Sequence, residues 1–185
     1  MTTQPAPAAA RLRILRTIAI AYLGAIPMIG IVLTFITPAD DPWGAPDLLG
    51  IVVPLAIGAA AWIGVLTFGL RMPALPARDV EIDRTAGLGA YQTTLFQRVA
   101  VAMLPALVSV ALQFALPHAT LITYAIGGVI SLVLVAVYVY PNRYNVRLVE
   151  RRLDRDGARS GLSQSLGFDG GPEAPSNYTG SATFH

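Results

Sequence analysis

The sequence predicts an all-α, polytopic membrane protein with four transmembrane helices, arranged as two hairpins of parallel orientation, and a short amphipathic helix after the last span. Three observations predict it. The 185 residues are 54% hydrophobic and only 13% charged, with a mean hydropathy of +0.57, far more apolar than is usual for a soluble chain of this size. Four apolar runs of roughly 18 to 24 residues are long enough, at about 1.5 Å per residue, to cross a hydrocarbon core of about 30 Å. The basic residues, all thirteen of them arginine, fall in the two terminal segments, in the middle loop and at Arg98, after which the uncharged part of span three begins, and never in the other two connections.

Residues 1–10 are rich in Pro, Ala and Thr and have nothing to bury, which predicts a disordered lead. A four-helix transmembrane domain is expected over 11–140. Span one runs from about Ile14 to Thr37, span two from Leu48 to Leu70, span three from Tyr91 to Leu116 and span four from Leu121 to Tyr140. Backbone groups in lipid must be satisfied within their own segment, so these runs are helices. Arg11, Arg13 and Arg16 before an apolar stretch resemble a signal peptide, but that stretch is too long for an h-region and lacks a small-residue cleavage site. It is read as an uncleaved first span.

Orientation follows from the arginines. Arg11, Arg13 and Arg16 precede span one; Arg71, Arg78, Arg84 and Arg98 lie between or beside spans two and three; Arg143, Arg147, Arg151, Arg152, Arg155 and Arg159 follow span four. The other two connections hold none, one carrying Asp40, Asp41 and Asp47 and the other His118. The positive-inside rule therefore predicts the cytoplasmic membrane, with both termini and the middle loop cytoplasmic. Trp43 at the outer boundary and Tyr138, Tyr140 and Tyr144 at the inner one fit aromatic belts. Both hairpins start inside. Short matches between them, Ala56-Ile57-Gly58 with Ala125-Ile126-Gly127 and a Phe-x-x-Pro ending spans one and three, are what a parallel duplication would leave.

After span four, Pro141-Asn142-Arg143 breaks the helix, and Asn145 is the expected cap of the next one. Residues 141–160 are read as a basic amphipathic juxtamembrane helix, with Val146, Val149 and Leu153 on one face and Gly157 placed to end it. Arg147, Arg151, Arg152 and Arg155 are its expected contacts with the inner leaflet or a partner, at about 1 kcal/mol per arginine near anionic headgroups. The Ser/Gly/Pro-rich stretch 161–185 predicts a disordered tail.

Chemistry is most informative where it is missing. Away from their ends the spans contain no Asp, Glu, Lys, Arg or His, the groups with which pumps, proton-coupled carriers and voltage sensors move or hold charge. No Cys is present, which excludes thiolate chemistry and thiolate metal sites. Gln113, Ser109, Thr34 and Thr67 suit bonding to local carbonyls or between helices, and Pro27, Pro54 and Pro105 are expected to bend their spans. Ala56, Ala60 and Gly64, like Thr123, Gly127 and Ser131, form small-residue stripes at four-residue spacing, which allow close backbone approach. Packing between spans two and four is their expected use, and an external partner interface is the other. Trp62 lies within span two and its indole needs an acceptor. Asp79, Glu81 and Asp83 alternate in the middle loop, but Arg78 and Arg84 bracket them, so a charge-balanced solvated loop is expected. No nucleophile constellation, P-loop or dinucleotide loop is present, so no enzyme, cofactor or metal is expected. The formal charge of +2 argues against nucleic-acid binding.

The segment Tyr140-Pro141-Asn142-Arg143-Tyr144-Asn145-Val146, followed by Arg151-Arg152-Leu153-Asp154 and Gly157-Ala158-Arg159-Ser160, resembles a group of small actinobacterial four-helix membrane proteins. In size and layout the chain is similar to an accessory membrane subunit of mycobacterial Mce-type lipid-import ABC transporters. The resemblance implies a non-catalytic partner of permease subunits, surrounded by membrane lipids; no site residue carries over with it. The alternative from the residues themselves is a small carrier or lipid-binding protein acting alone or as a homo-oligomer.

Overall fold

The computed structural model describes residues 8–37, 41–67, 84–116, 120–154 and 160–168. They form α1 (Ala8–Ile36), α2 (Leu48–Thr67), α3 (Arg84–Ala115) and α4 (Leu121–Leu134), which continues into a π-helical turn over Val135–Val139, then α5 (Arg143–Leu153) and α6 (Leu162–Ser165). By length and composition α1, α2, α3 and α4 with its π turn are each able to cross a membrane, and the protein is a four-helix, multi-pass membrane protein.

Helices α3 and α4 are the centre, each with 44% of its apolar window buried by the rest of the chain, against 28% for α2 and 17% for α1. α4 packs against the other three, whereas α1 and α2 barely touch. The second predicted hairpin is thus a packed pair, and the first is two helices seated separately, α1 on α4 and α2 across both α3 and α4. The α1 attachment is a knob in a hole: the Tyr124 ring lies over Gly30, where a Cβ would come within 3.0 Å of it, and its hydroxyl donates to the Ile26 carbonyl at 2.5 Å. The buried face of α2 is Gly50, Pro54, Gly58, Ala61 and Val65. Gly50 admits the Thr123 hydroxyl and Gly58 admits Ile130, at 2.7 and 2.9 Å from the positions a Cβ would take.

Three boundaries differ from the sequence expectation. α1 starts at Ala8, six residues before Ile14 and inside the 1–10 lead expected to be disordered, and Leu12 packs this first part against the core. α3 starts at Arg84, seven residues before Tyr91, and at 32 residues is about 48 Å long, well beyond a hydrocarbon core of about 30 Å. Its extra turns persist because Leu88 and Ala90 pack against the core and Gly87 lies against Ser160. The disordered tail expected from 161 instead opens with a folded turn: Leu162, Leu166 and Phe168 join the core cluster that contains Val146, Val149 and Leu153. Composition around them signals disorder, but three apolar side chains at close spacing cover the α5 face. Gly161 and Gly167 supply the left-handed φ values of 55° and 72° that begin and end this turn. Residues 169–185 lie outside the described residues, as do 1–7 of the predicted lead.

Candidate functional site

The end of α4 that leads into the arginine-rich segment is built around a deficit created by proline. Pro141 has no N–H, so the Val137 carbonyl lacks its usual helical donor. Widening to the π turn satisfies Val135, whose carbonyl accepts from Tyr140 N–H at 3.0 Å. Asn145 satisfies two others, its Nδ2 donating to Val137 O at 2.9 Å and Tyr140 O at 3.0 Å. Arg98 Nη1 approaches the Tyr138 carbonyl at 3.5 Å, the outer limit of a hydrogen bond. Asn145 is therefore a C-terminal lock on α4, not the cap of α5; Asn142 is that cap, its Oδ1 accepting from Asn145 N–H at 2.7 Å. Asn145 is 3% exposed and Arg98 6%. Arg98 is the one buried charged side chain among the described residues. Sequence reasoning placed it only as a boundary marker; its position four residues after Thr94 and seven after Tyr91, both buried, was the available signal.

The apolar face of α5 is occupied by its own chain. Val146, Val149 and Leu153 are at most 1% exposed. The folded turn is tied over them by Arg143 Nη2 to Phe168 O at 2.6 Å, by Glu150 accepting from both the amide and the hydroxyl of Ser163, and by Asp154 accepting from Ser160 N–H at 2.8 Å. Arg147, Arg151 and Arg152 are exposed. Arg147 and Arg151 share a groove of about 500 Å³ with Glu150, Asp154 and Ser163. Arg155 lies outside the described residues.

The two small-residue stripes have different surroundings. Thr123, Gly127 and Ser131 are buried, with α3 as the main neighbour: Gly127 lies directly on the Pro105 carbonyl and Ser109, and Ser131 Oγ accepts the Ala106 N–H at 3.0 Å, next to Pro105. Ala56 and Ala60 are exposed, and Gly64 approaches Val101 of α3. The expected contact of one stripe with the other is not formed, because α2 turns Gly50 and Gly58 toward α4 instead. Thr34 and Thr67 bond to local carbonyls. Gln113 donates to the Thr120 carbonyl at 2.5 Å, joining α3 to the start of α4. Trp62 is half exposed and leans on Tyr138, ring centroids 6.5 Å apart.

Two clefts flank α1. One, about 290 Å³, lies between α1 and α4 and is lined by Ile31, Thr34, Trp43, Tyr124, Val129 and Leu132 among others. The other, about 440 Å³, is lined by Met28, Val32 and Ile36 of α1 and by Val110 and Phe114 of α3. Neither contains a titratable carboxylate or basic group. Among the described residues no three acidic or histidine side chains converge as a metal site; Asp79, Glu81 and Asp83 lie outside them. Replacing Tyr124 with Phe is expected to cost about 1 kcal/mol by removing the hydroxyl bond to Ile26, and to speed hydrogen exchange in α1 selectively. Unchanged unfolding and exchange would show that this bond does not hold α1.

Comparison with protein-family models, curated proteins and solved structures found no match.

Proposed function

We propose that the chain is a non-catalytic accessory subunit that stabilises or regulates a larger complex in the cytoplasmic membrane, with both termini cytoplasmic, and that a Mce-type lipid-import ABC transporter is the best candidate for that complex. The supporting observation is the low burial of α1 and α2 by their own chain, at 17% and 28% of their windows. Lipid tails are as apolar as leucine, so association in a bilayer depends on close packing. α2 offers Ala56 and Ala60 outward, a smooth strip on which another helix can lie, after using a different small-residue face internally. The arginine distribution supports the orientation.

Purification of the tagged full-length chain in mild detergent is the test. A stoichiometric integral-membrane partner is expected, and Ala56→Leu with Ala60→Leu should reduce its recovery severalfold without changing the unfolding midpoint of the isolated chain. Recovery of the parent only as a free species would refute the reading. Reporter fusions at Ala45 and His185 should report opposite compartments. A second reading, a stand-alone carrier or lipid-binding protein, draws on the apolar clefts beside α1; substrate flux or retained lipid in liposomes containing only this chain would favour it.

A further inference from the structure

The exposed arc of α5 is predominantly basic, with Asp154 at the end of the helix the one carboxylate that falls within it. At about 100° per residue, Arg143, Arg147, Arg151 and Tyr144 fall within an arc of about 100°, and all four are exposed, Tyr144 at 73%. Val146, Val149 and Leu153 lie on the other side, covered by the folded turn. The basic face also has a defined position. Asn145 holds the first turn of α5 against the last carbonyls of α4, so the stripe starts where the fourth apolar span ends. Glu150 and Asp154 accept from Ser163 and Ser160 and share the groove with Arg147 and Arg151, but the four exposed arginines of α5, Arg143, Arg147, Arg151 and Arg152, outnumber them, so the face keeps a net positive charge.

We propose that this face is a docking surface for the phosphate groups of anionic glycerophospholipids, with Arg147 and Arg151 as the principal contacts and Tyr144 lying at the headgroup level beside them. Guanidinium forks match phosphate oxygens bidentately, and an amphipathic aromatic ring belongs at the interface. Charge complementarity selects lipid headgroups as the occupant because the stripe is anchored beside the span end, within the range over which a charged leaflet acts. Binding is electrostatic only. An interfacial helix ordinarily inserts its apolar face among acyl chains, but here that face belongs to the core of the protein. Attachment therefore depends on salt and headgroup charge, with little response to lipid packing. The proposal concerns the isolated chain and stands apart from the accessory-subunit reading.

The test is native mass spectrometry of the purified full-length protein, titrated in detergent with phosphatidylglycerol or phosphatidylcholine of matched chains. Phosphatidylglycerol is expected to be retained at least tenfold more strongly, with retention falling as salt is raised. Each guanidinium is expected to contribute roughly fivefold, so Arg147→Gln with Arg151→Gln should lose most of the preference. Arg147→Lys with Arg151→Lys should keep part of it, and Arg11→Gln with Arg13→Gln, an equal change of net charge elsewhere, should keep all of it. Matched unfolding curves for the variants separate loss of binding from loss of fold. Equal retention of the two lipids, an unaffected Arg147/Arg151 glutamine variant, equal loss in the Arg11/Arg13 variant, or capture of an acidic protein with no phosphatidylglycerol enrichment would each overturn the proposal.

Discussion

Gly127→Ala is expected to destabilise the protein by about 3 kcal/mol, the upper end of the usual cost of overpacking, and to lower its accumulation in the membrane. A Cβ at this position would overlap both Ser109 Oγ and the Pro105 carbonyl oxygen. Ser109 can be removed, but the carbonyl is backbone. Ser109→Ala should therefore fail to rescue the variant, and α3 and α4 have to separate. Gly58→Ala is the informative contrast, because its Cβ would meet only Ile130 side-chain atoms, the nearest at 2.9 Å. It should cost less, with much of the loss relieved by Ile130→Ala. Gly24 has no atom within 4 Å of a Cβ, so Gly24→Ala should stabilise the helix by roughly 0.5–1 kcal/mol. Unfolding in detergent micelles, by heat or by titrated SDS, measures all three. If Gly127→Ala unfolds at the parental midpoint, the α3–α4 register described above is wrong.

The second large effect concerns the corner after α4. Asn145→Ala removes both donors that serve the Val137 and Tyr140 carbonyls. A buried acceptor left without a partner costs about 1–3 kcal/mol, so a loss of about 3 kcal/mol is expected. Asn145→Asp keeps the shape but supplies no donor and should do no better. The consequence extends along the chain, since α5 is seated by this corner and carries the folded turn, whose Ser160 lies against Gly87 in the projecting turns of α3. Limited proteolysis should then cut selectively after Tyr140 while the spans stay protected. Parental resistance to cleavage, together with unchanged stability, would mean that water or the Arg98 guanidinium serves those carbonyls equally well.

The legibility of the sequence depended on the kind of physics involved. The π turn and the reach of Asn145 were not readable from it. Pro141 announces a missing donor, but which side chain replaces it depends on how α5 folds back. The α5 apolar face was correctly identified from spacing, yet what covers it was not, because Leu162, Leu166 and Phe168 lie in a segment whose composition resembles a disordered tail. Among the small residues, Gly127 and Ser131 have neighbours in α3 that no spacing rule names. Ala56 and Ala60 show the converse, a regular pattern that the folded chain leaves outside.

What the sequence determined by itself is the helical class, the four spans and the approximate extent of each apolar run. Transfer of a segment from water to lipid depends on its own length, composition and backbone hydrogen bonding, all of which are local. What only the tertiary structure decided is which side of each helix faces which neighbour. α2 is apolar all round, so a helix packed against it and the lipid surrounding it are nearly equivalent solvents, and hydrophobicity provides no direction. The choice passes to steric fit, to a glycine opposite a carbonyl or a hydroxyl, and that fit exists only once the helices have met.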